Sequence, residues 1–293
     1  MGRDDADRLC LVVYPSRRRA GRVRDDTGSS GSPLTAIEPD AVEAIEKRAA
    51  LYYDHTVVFA RALKKPPFHP ETVHRLRTHL RRLQAYAELM QRPKTASSFA
   101  KCVTRLSRLR TLDVFRRYLR RRRADAEDVR RVAWALREEE TKVAHAGYVE
   151  AIRILLERTP ITRLHRPDDF LAARLESLSR EHAARLSAEL RGLSAEAKRK
   201  ELHRLRLLVK ALRYQEEIAL ETAWGNPRSV AALKRLQRTL GDYCDRDQFR
   251  RLARRMKLAC RGEMRKEYRR YRKLARAAVR KLGLPEARAT GPR

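Results

Sequence analysis

Aromatic residues are scarce, with Phe, Trp and Tyr together making up 6% of the 293 residues. Few bases could therefore stack on this protein in the way that single-stranded nucleic-acid sites require. Glycine is scarce too, at 11 residues, and no G-x-x-x-x-G-K-[ST] string occurs, which excludes a P-loop. The four cysteines, Cys10, Cys102, Cys244 and Cys260, show neither C-x-x-C spacing nor a paired His/Cys cluster. They read as free thiols of a reducing cytoplasm, and neither a metal nor a cofactor is expected. No apolar run approaches the length of a membrane span. The first residues, "MGRDDADRLCLVVYPSRRR", hold only a short apolar run and give no secretory signal.

What the chain has is charge and helix formers. Lys and Arg total 69 against 37 Asp and Glu, a formal net charge of +32. Such an excess opposes compaction unless a polyanion or counterions offset it. Most of the cations are Arg, whose planar fork suits phosphate oxygens. Leu, Ala, Arg and Glu dominate, so the expected fold class is all-α. The candidate partners are nucleic acid, an anionic surface or a simple phosphate polymer. A compositional bias toward Arg is the plainer alternative for part of the excess.

Residues 1–39, with "RDDTGSSGSP", read as a disordered N-terminal tail, and 284–293 as a C-terminal tail. Helical periodicity fills 40–283. It predicts helices over 40–64, 71–91, 94–110, 113–158 with a break near 124, 168–191, 194–223, 227–240, and 246–282 with a break near 262. Pro66, Pro67 and Pro70 punctuate the first pair, "RTPITRLHRPDD" the middle, and Gly225-Asn226-Pro227 a later turn.

Two strings carry the functional reading. "VHRLRTHLRRL" (73–83) packs two histidines and four arginines into one helix, and "LHRLRLLVKALRY" (202–214) repeats the pattern. On a helix turning about 100° per residue, His203, Arg206, Lys210, Arg213 and Glu217 fall within about 80° of arc. Leu202, Leu205, Val209 and Leu212 form an apolar stripe directly beside it. His74, Arg77 and Arg81 share the equivalent stripe of the first helix, next to Val73, Leu76, Leu80 and Leu83. Gln84 stands where the second copy has Arg213, and Arg75 and Arg82 point to solvent or a second rim. Glu217 is placed to pair with Arg213, and Tyr214 sits beside the stripe as a hydrogen-bonding group. Like charges at i and i+4 cost a few tenths of a kcal/mol per pair, so the stripes are mildly unfavourable unless a ligand meets them. A solvated face is the plainer reading of any one Arg-rich stripe, and of the run Arg120 to Arg123.

Each stripe is followed by a landmark, "LSRLRTLDVF" after the first and "LQRTLGDYCD" after the second. His74 precedes Asp113 by 39 residues and His203 precedes Asp245 by 42. A duplicated helical unit is the simplest account, with halves at 40–160 and 161–283. No Ser, Cys or Asp beside either histidine forms a nucleophile–base pair. Asp113, Asp242 and Asp245 are the landmark acids and read as helix caps. Catalysis on phosphate chains would need carboxylate-held metal or a P-loop, so no enzyme activity is expected.

At these strings and landmarks the sequence resembles the CHAD family, the conserved histidine α-helical domain, over about residues 40–283. Thr111, where the family often has an acid, and Gln84 depart from its pattern. The resemblance implies two bundles of about four helices each, related by a pseudo-twofold axis, around a basic central cavity. It implies non-catalytic binding of inorganic polyphosphate, often at polyphosphate granules, by a stand-alone member. The forty residues ahead of the helices are too few for the triphosphate-hydrolysing domain fused to some members. The expected polyphosphate contacts are His74, Arg77, Arg81, Arg82, His203, Arg206, Lys210, Arg213 and Tyr214. Nonspecific binding of RNA or DNA is the rival reading, since it shares the charge argument.

Overall fold

A computed structural model describes residues 39–160, 168–193, 197–221 and 225–283. Among them are ten helices and no strand: α1 (Pro39–Ala62), α2 (Pro70–Leu89), α3 (Pro93–Arg105), α4 (Ser107–Arg121), α5 (Ala126–His145), α6 (Tyr148–Arg158), α7 (Asp168–Gly192), α8 (Arg199–Ala219), α9 (Pro227–Arg255) and α10 (Arg261–Gly283). The all-α expectation is met. The terminal tails, and "PITRLHRP" but for its first residue, lie outside the described residues.

Local chemistry sets most of the boundaries. Proline opens α2, α3 and α9, where its fixed φ suits the first turn and its missing N–H costs nothing. Asn226 caps α9 by accepting from the backbone N–H of Arg228 at 2.9 Å and of Ser229 at 3.3 Å. Asp125 caps α5 through the N–H of Glu127 at 2.6 Å. Gly147, at φ +63°, turns the chain between α5 and α6. Gly225 has a steric reason to be glycine, because a Cβ there would lie 2.3 Å from Leu220 Cα.

Several expected boundaries differ, and the run 113–158, expected to break only near 124, breaks again at Gly147 between α5 and α6. The run 94–110 breaks at Leu106, so that α4 begins at Ser107 and carries the first landmark from its second residue on. In the second half, α9 runs unbroken to Arg255 through the second landmark, where a break between 240 and 246 was expected. Asp113, Asp242 and Asp245 therefore sit in helix interiors and cap nothing, which corrects the capping reading. Six helices precede residue 160 and four follow it, rather than about four in each half.

Three apolar clusters hold the helices together. One gathers α1 to α6 and draws in Phe249 and Ala253 of α9 with Met264 of α10. Another joins α7 to α10 around Leu205, Val209, Leu240 and Tyr243. Between them, Val42 and Ile45 of α1 and Tyr86 and Leu89 of α2 pack on Leu171 and Leu175 of α7 and on Tyr214 and Ile218 of α8. Each deep truncation in such a core costs about 2–5 kcal/mol. This middle cluster lays α2 beside α8, the two helices that carry the basic stripes. A buried carboxylate adds a long-range tie, with Asp128 of α5 accepting from the backbone N–H groups of Ala259 and Cys260 at 2.8 and 2.9 Å, just before α10. Cys102, Cys244 and Cys260 are free thiols. No helix among the described residues is long and apolar enough to cross a membrane.

Candidate anion-binding site

The apolar stripes of α2 and α8 are fully buried at Leu76, Leu80, Leu205 and Val209, which fixes the rotation of both helices. The basic stripe lies immediately beside each apolar one, so it is carried into the seam between the helices rather than out to open solvent. Arg77 is only 8% exposed. Its guanidinium donates to Val103 O at 3.4 Å and to Ser107 Oγ at 3.1 Å, which anchors it to the junction of α3 and α4. Arg81 interacts electrostatically with Tyr214 across the seam. Arg213 is held by Glu217 at 3.1 Å and lies over the Tyr214 ring at 4.1 Å. The expected Arg213–Glu217 pair therefore forms, and Glu217 also takes Lys234 at 3.1 Å.

Lys210 is the centre of the cluster. Burial first, then the charges of Arg81, Arg206, Arg77 and Arg213, pull its pKa down to about 6. Two of those cations come from α2 and two from α8, so the stripes confront one another. Arg77 is lowered to about 9 by burial and then by Arg81, Arg110 and Arg206, and Arg81 is lowered by burial, Arg206 and Arg213 against the opposing pull of Tyr214. Among the described residues none of Arg77, Arg81, Arg206 and Lys210 has an ion pair, and the Nε of Arg206 has no hydrogen-bond partner. Asp245 of α9 bears electrostatically on Arg206 and Lys210, while its own burial raises its pKa. A cluster of cations this dense, desolvated and short of carboxylates is complementary to a polyanion.

The two histidines stand toward the N-terminal ends of their stripes. Burial lowers the pKa of His74, followed by the charge of Arg110, and burial lowers that of His203, followed by Arg206, Arg199, Lys210 and Arg251. Nδ1 of His203 lies 3.9 Å from Cys244 Sγ. Two members of the expected set behave differently. Arg82 turns to α1, where it covers the Tyr52 ring at 4.7 Å, and is not brought to the cluster. Tyr214 is buried in the middle core and meets the site where Arg213 covers its ring and where Arg81 faces it. The second histidine of the first string, His79, is a core residue among the rings of Tyr52, His55 and Phe59.

Sequence reasoning missed the shell behind the stripes. Asp113 is buried and pairs with Arg110 at 3.2 Å, Arg116 at 3.6 Å and Arg117 at 2.7 Å. Asp247, also buried, pairs with Arg250 and Arg251, both at 3.0 Å, and with Arg199 at 3.7 Å. Both aspartates open the string D-x-F-R-R, so Asp247, and not Asp245, matches Asp113 in its sequence context and in its ring of arginines. That string was the signal available in the sequence. It places Arg110 opposite Cys244 and Thr111 opposite Asp245. Thr111 donates to Gln248 Oε1 at 2.9 Å, linking α4 to α9. Among the described residues no group of three or more His, Cys, Asp or Glu could hold a metal ion.

Residues 48–254 match the family model of the CHAD domain. The fold is similar to the crystal structure of the CHAD domain from the plant Ricinus communis, with a TM-score of 0.61 and 17% identity over 88% of this chain and 97% of that one. No curated protein matches the chain.

Proposed function

Because the chain belongs to the CHAD family, we propose that it is a non-catalytic binder of inorganic polyphosphate, with the confronting stripes of α2 and α8 as the channel that takes the phosphate chain. One observation carries this reading: Lys210 is half-buried among Arg77, Arg81, Arg206 and Arg213, with no ion pair among the described residues for four of these five groups. A phosphate chain brings about one negative charge per unit and no bases, which suits a seam rich in guanidinium and poor in exposed rings. His74 and His203 add contacts that strengthen on protonation. The two halves are read as diverged copies of one unit, each supplying a stripe and a buried aspartate with its arginines. Asp245 meets Asp242 on the same helix but also Arg206, Arg246 and Lys210, so its carboxylate is set among cations. Association with polyphosphate granules, from the cytoplasmic side, follows from this ligand.

The test is a competition at near-physiological salt. Labelled long-chain polyphosphate is bound to the protein and challenged with unlabelled polyphosphate, RNA or DNA at equal phosphate concentration. Preferential displacement by polyphosphate, lost in the triple variant Arg81→Gln, Arg206→Gln, Lys210→Gln, is the expected result. Equal displacement by RNA or DNA would mean that the net charge acts nonspecifically.

A further inference from the structure

Beside His203, α8 and α9 enclose a pocket of about 220 Å³, lined by Arg199, His203, Tyr243, Cys244, Asp247, Gln248 and Arg251. In the first half the space against Val73, Arg110 and Asp113 is about 10 Å³. The residue three positions before the buried aspartate differs between them, Arg110 in the first half and Cys244 in the second. The arginine side chain occupies its site and pairs with Asp113, whereas the small thiol leaves its site open. Cys244 takes no part as an anion, since burial pushes its thiol up to about 11.

The open pocket is built for a compact anion. Asp247 faces three guanidiniums, those of Arg199, Arg250 and Arg251, so one carboxylate charge is set against three cations. Arg199 and Arg251 are half exposed and line the pocket, so both can donate into it. His203 is the junction, because the charges of Arg206 and Lys210 reach it from the stripe and those of Arg199 and Arg251 from the pocket. At about 30 Å³ per water the volume holds about seven waters, room for a phosphate group with part of its hydration. An internal unit of a phosphate chain offers two free oxygens and one charge. A terminal unit offers three free oxygens and a second ionisation near pH 6, the group that several converging donors bind best.

We propose that this pocket seats the terminal phosphate of a polyphosphate chain whose internal units lie along the α2–α8 seam, a group with the same chemistry as free orthophosphate. The inference rests on the polyphosphate reading and adds an orientation to it, with the chain end at His203.

The experiment uses the full chain and short polyphosphate in two forms, with free ends and with both ends capped as neutral-amine phosphoramidates. Affinity for each is measured for the wild type, for Arg199→Gln/Arg251→Gln, and for Cys244→Met, which fills the pocket without charge. The wild type is expected to lose about tenfold on capping, the scale of one charge-assisted contact. Both variants are expected to bind free and capped chains alike, at the affinity of the wild type for capped chains. Arg250 still pairs with Asp247 in the double variant, so the carboxylate keeps a partner. Millimolar orthophosphate separates the two sources of the group: if it erases the wild-type preference the pocket takes the free ion as well, and if it does not the pocket needs the attached chain. Equal wild-type affinity for free and capped chains overturns the end site while the seam stands. Failure of both forms to compete better than RNA would instead overturn the polyphosphate reading itself.

Discussion

Phe115 of α4 and Phe249 of α9 stack with ring centroids 4.7 Å apart and planes 20° apart. Each stands two residues after a buried aspartate and one before a pair of arginines. The stack joins the helix behind the first stripe to the helix behind the second. Replacing Phe249 with Ala is expected to cost about 3–5 kcal/mol and to lower the thermal midpoint measured by circular dichroism. Phe249→Leu, which keeps most of the volume, is expected to cost less than half as much. Equal losses would show that the stack itself, rather than its volume, holds α4 to α9.

Asp113 faces Arg110, Arg116 and Arg117 from a buried position. Asp113→Asn removes that counter-charge but leaves the arginines partly hydrated. The expected loss is about 1–3 kcal/mol, read from urea unfolding at neutral pH and larger at low salt than at high salt. A salt-independent loss would mean that shape rather than charge is what Asp113 supplies.

Lys210 gives the free protein a pH signature. Its pKa falls to about 6 in the folded state, from an ordinary value of 10.5. Between those two values the unfolded chain binds more protons than the folded one, so Lys210 makes stability rise with pH across that window. Below about pH 6 both states are protonated and this dependence vanishes. On the proposed function a bound phosphate chain is expected to reverse the shift, so that binding above pH 6 takes up a proton. Calorimetry in buffers of different ionisation enthalpy should show that uptake in the wild type and a smaller one in Lys210→Met. Identical uptake in both would place the proton elsewhere.

His74 and His203 titrate below the usual value of 6.5, chiefly because burial and neighbouring arginines oppose a further positive charge. Both are therefore neutral in the free protein at pH 7. A phosphate chain is expected to raise both, so affinity should climb as pH falls through the histidine range. Imidazole resonances followed by NMR, with and without polyphosphate, check this directly. His203→Gln should flatten the climb without abolishing binding at pH 8.

Arg81 and Arg82 are neighbours in sequence with different surroundings. Arg81 meets Tyr214 and the opposing stripe, and Arg82 covers Tyr52. Arg81→Gln should weaken polyphosphate binding and reduce the slope of log affinity against log salt by about one. Arg82→Gln should change both far less and instead loosen the packing of α1 on α2. Equal effects would show that the chain passes over both faces of α2.

Periodicity, proline and asparagine punctuation, and the abundance of Leu, Ala, Arg and Glu determined the all-α fold class, the positions of most helices and the two H-x-x-R-x-x-x-[RK] stripes. These are local properties, set by the 3.6-residue turn and by backbone groups only a few residues apart. Tertiary structure decided the rest. The confrontation of the stripes depends on Tyr86 and Leu89 packing near Tyr214 and Ile218, a contact between residues more than a hundred positions apart. The interior placement of Asp113 and Asp245 depends on α4 and α9 running through their landmarks. The turning of Arg82 to Tyr52, and the pocket left where Cys244 replaces an arginine, depend on which neighbour each side chain meets. Burial and charge act through space, and a linear pattern records which residues share a face but not what that face is packed against.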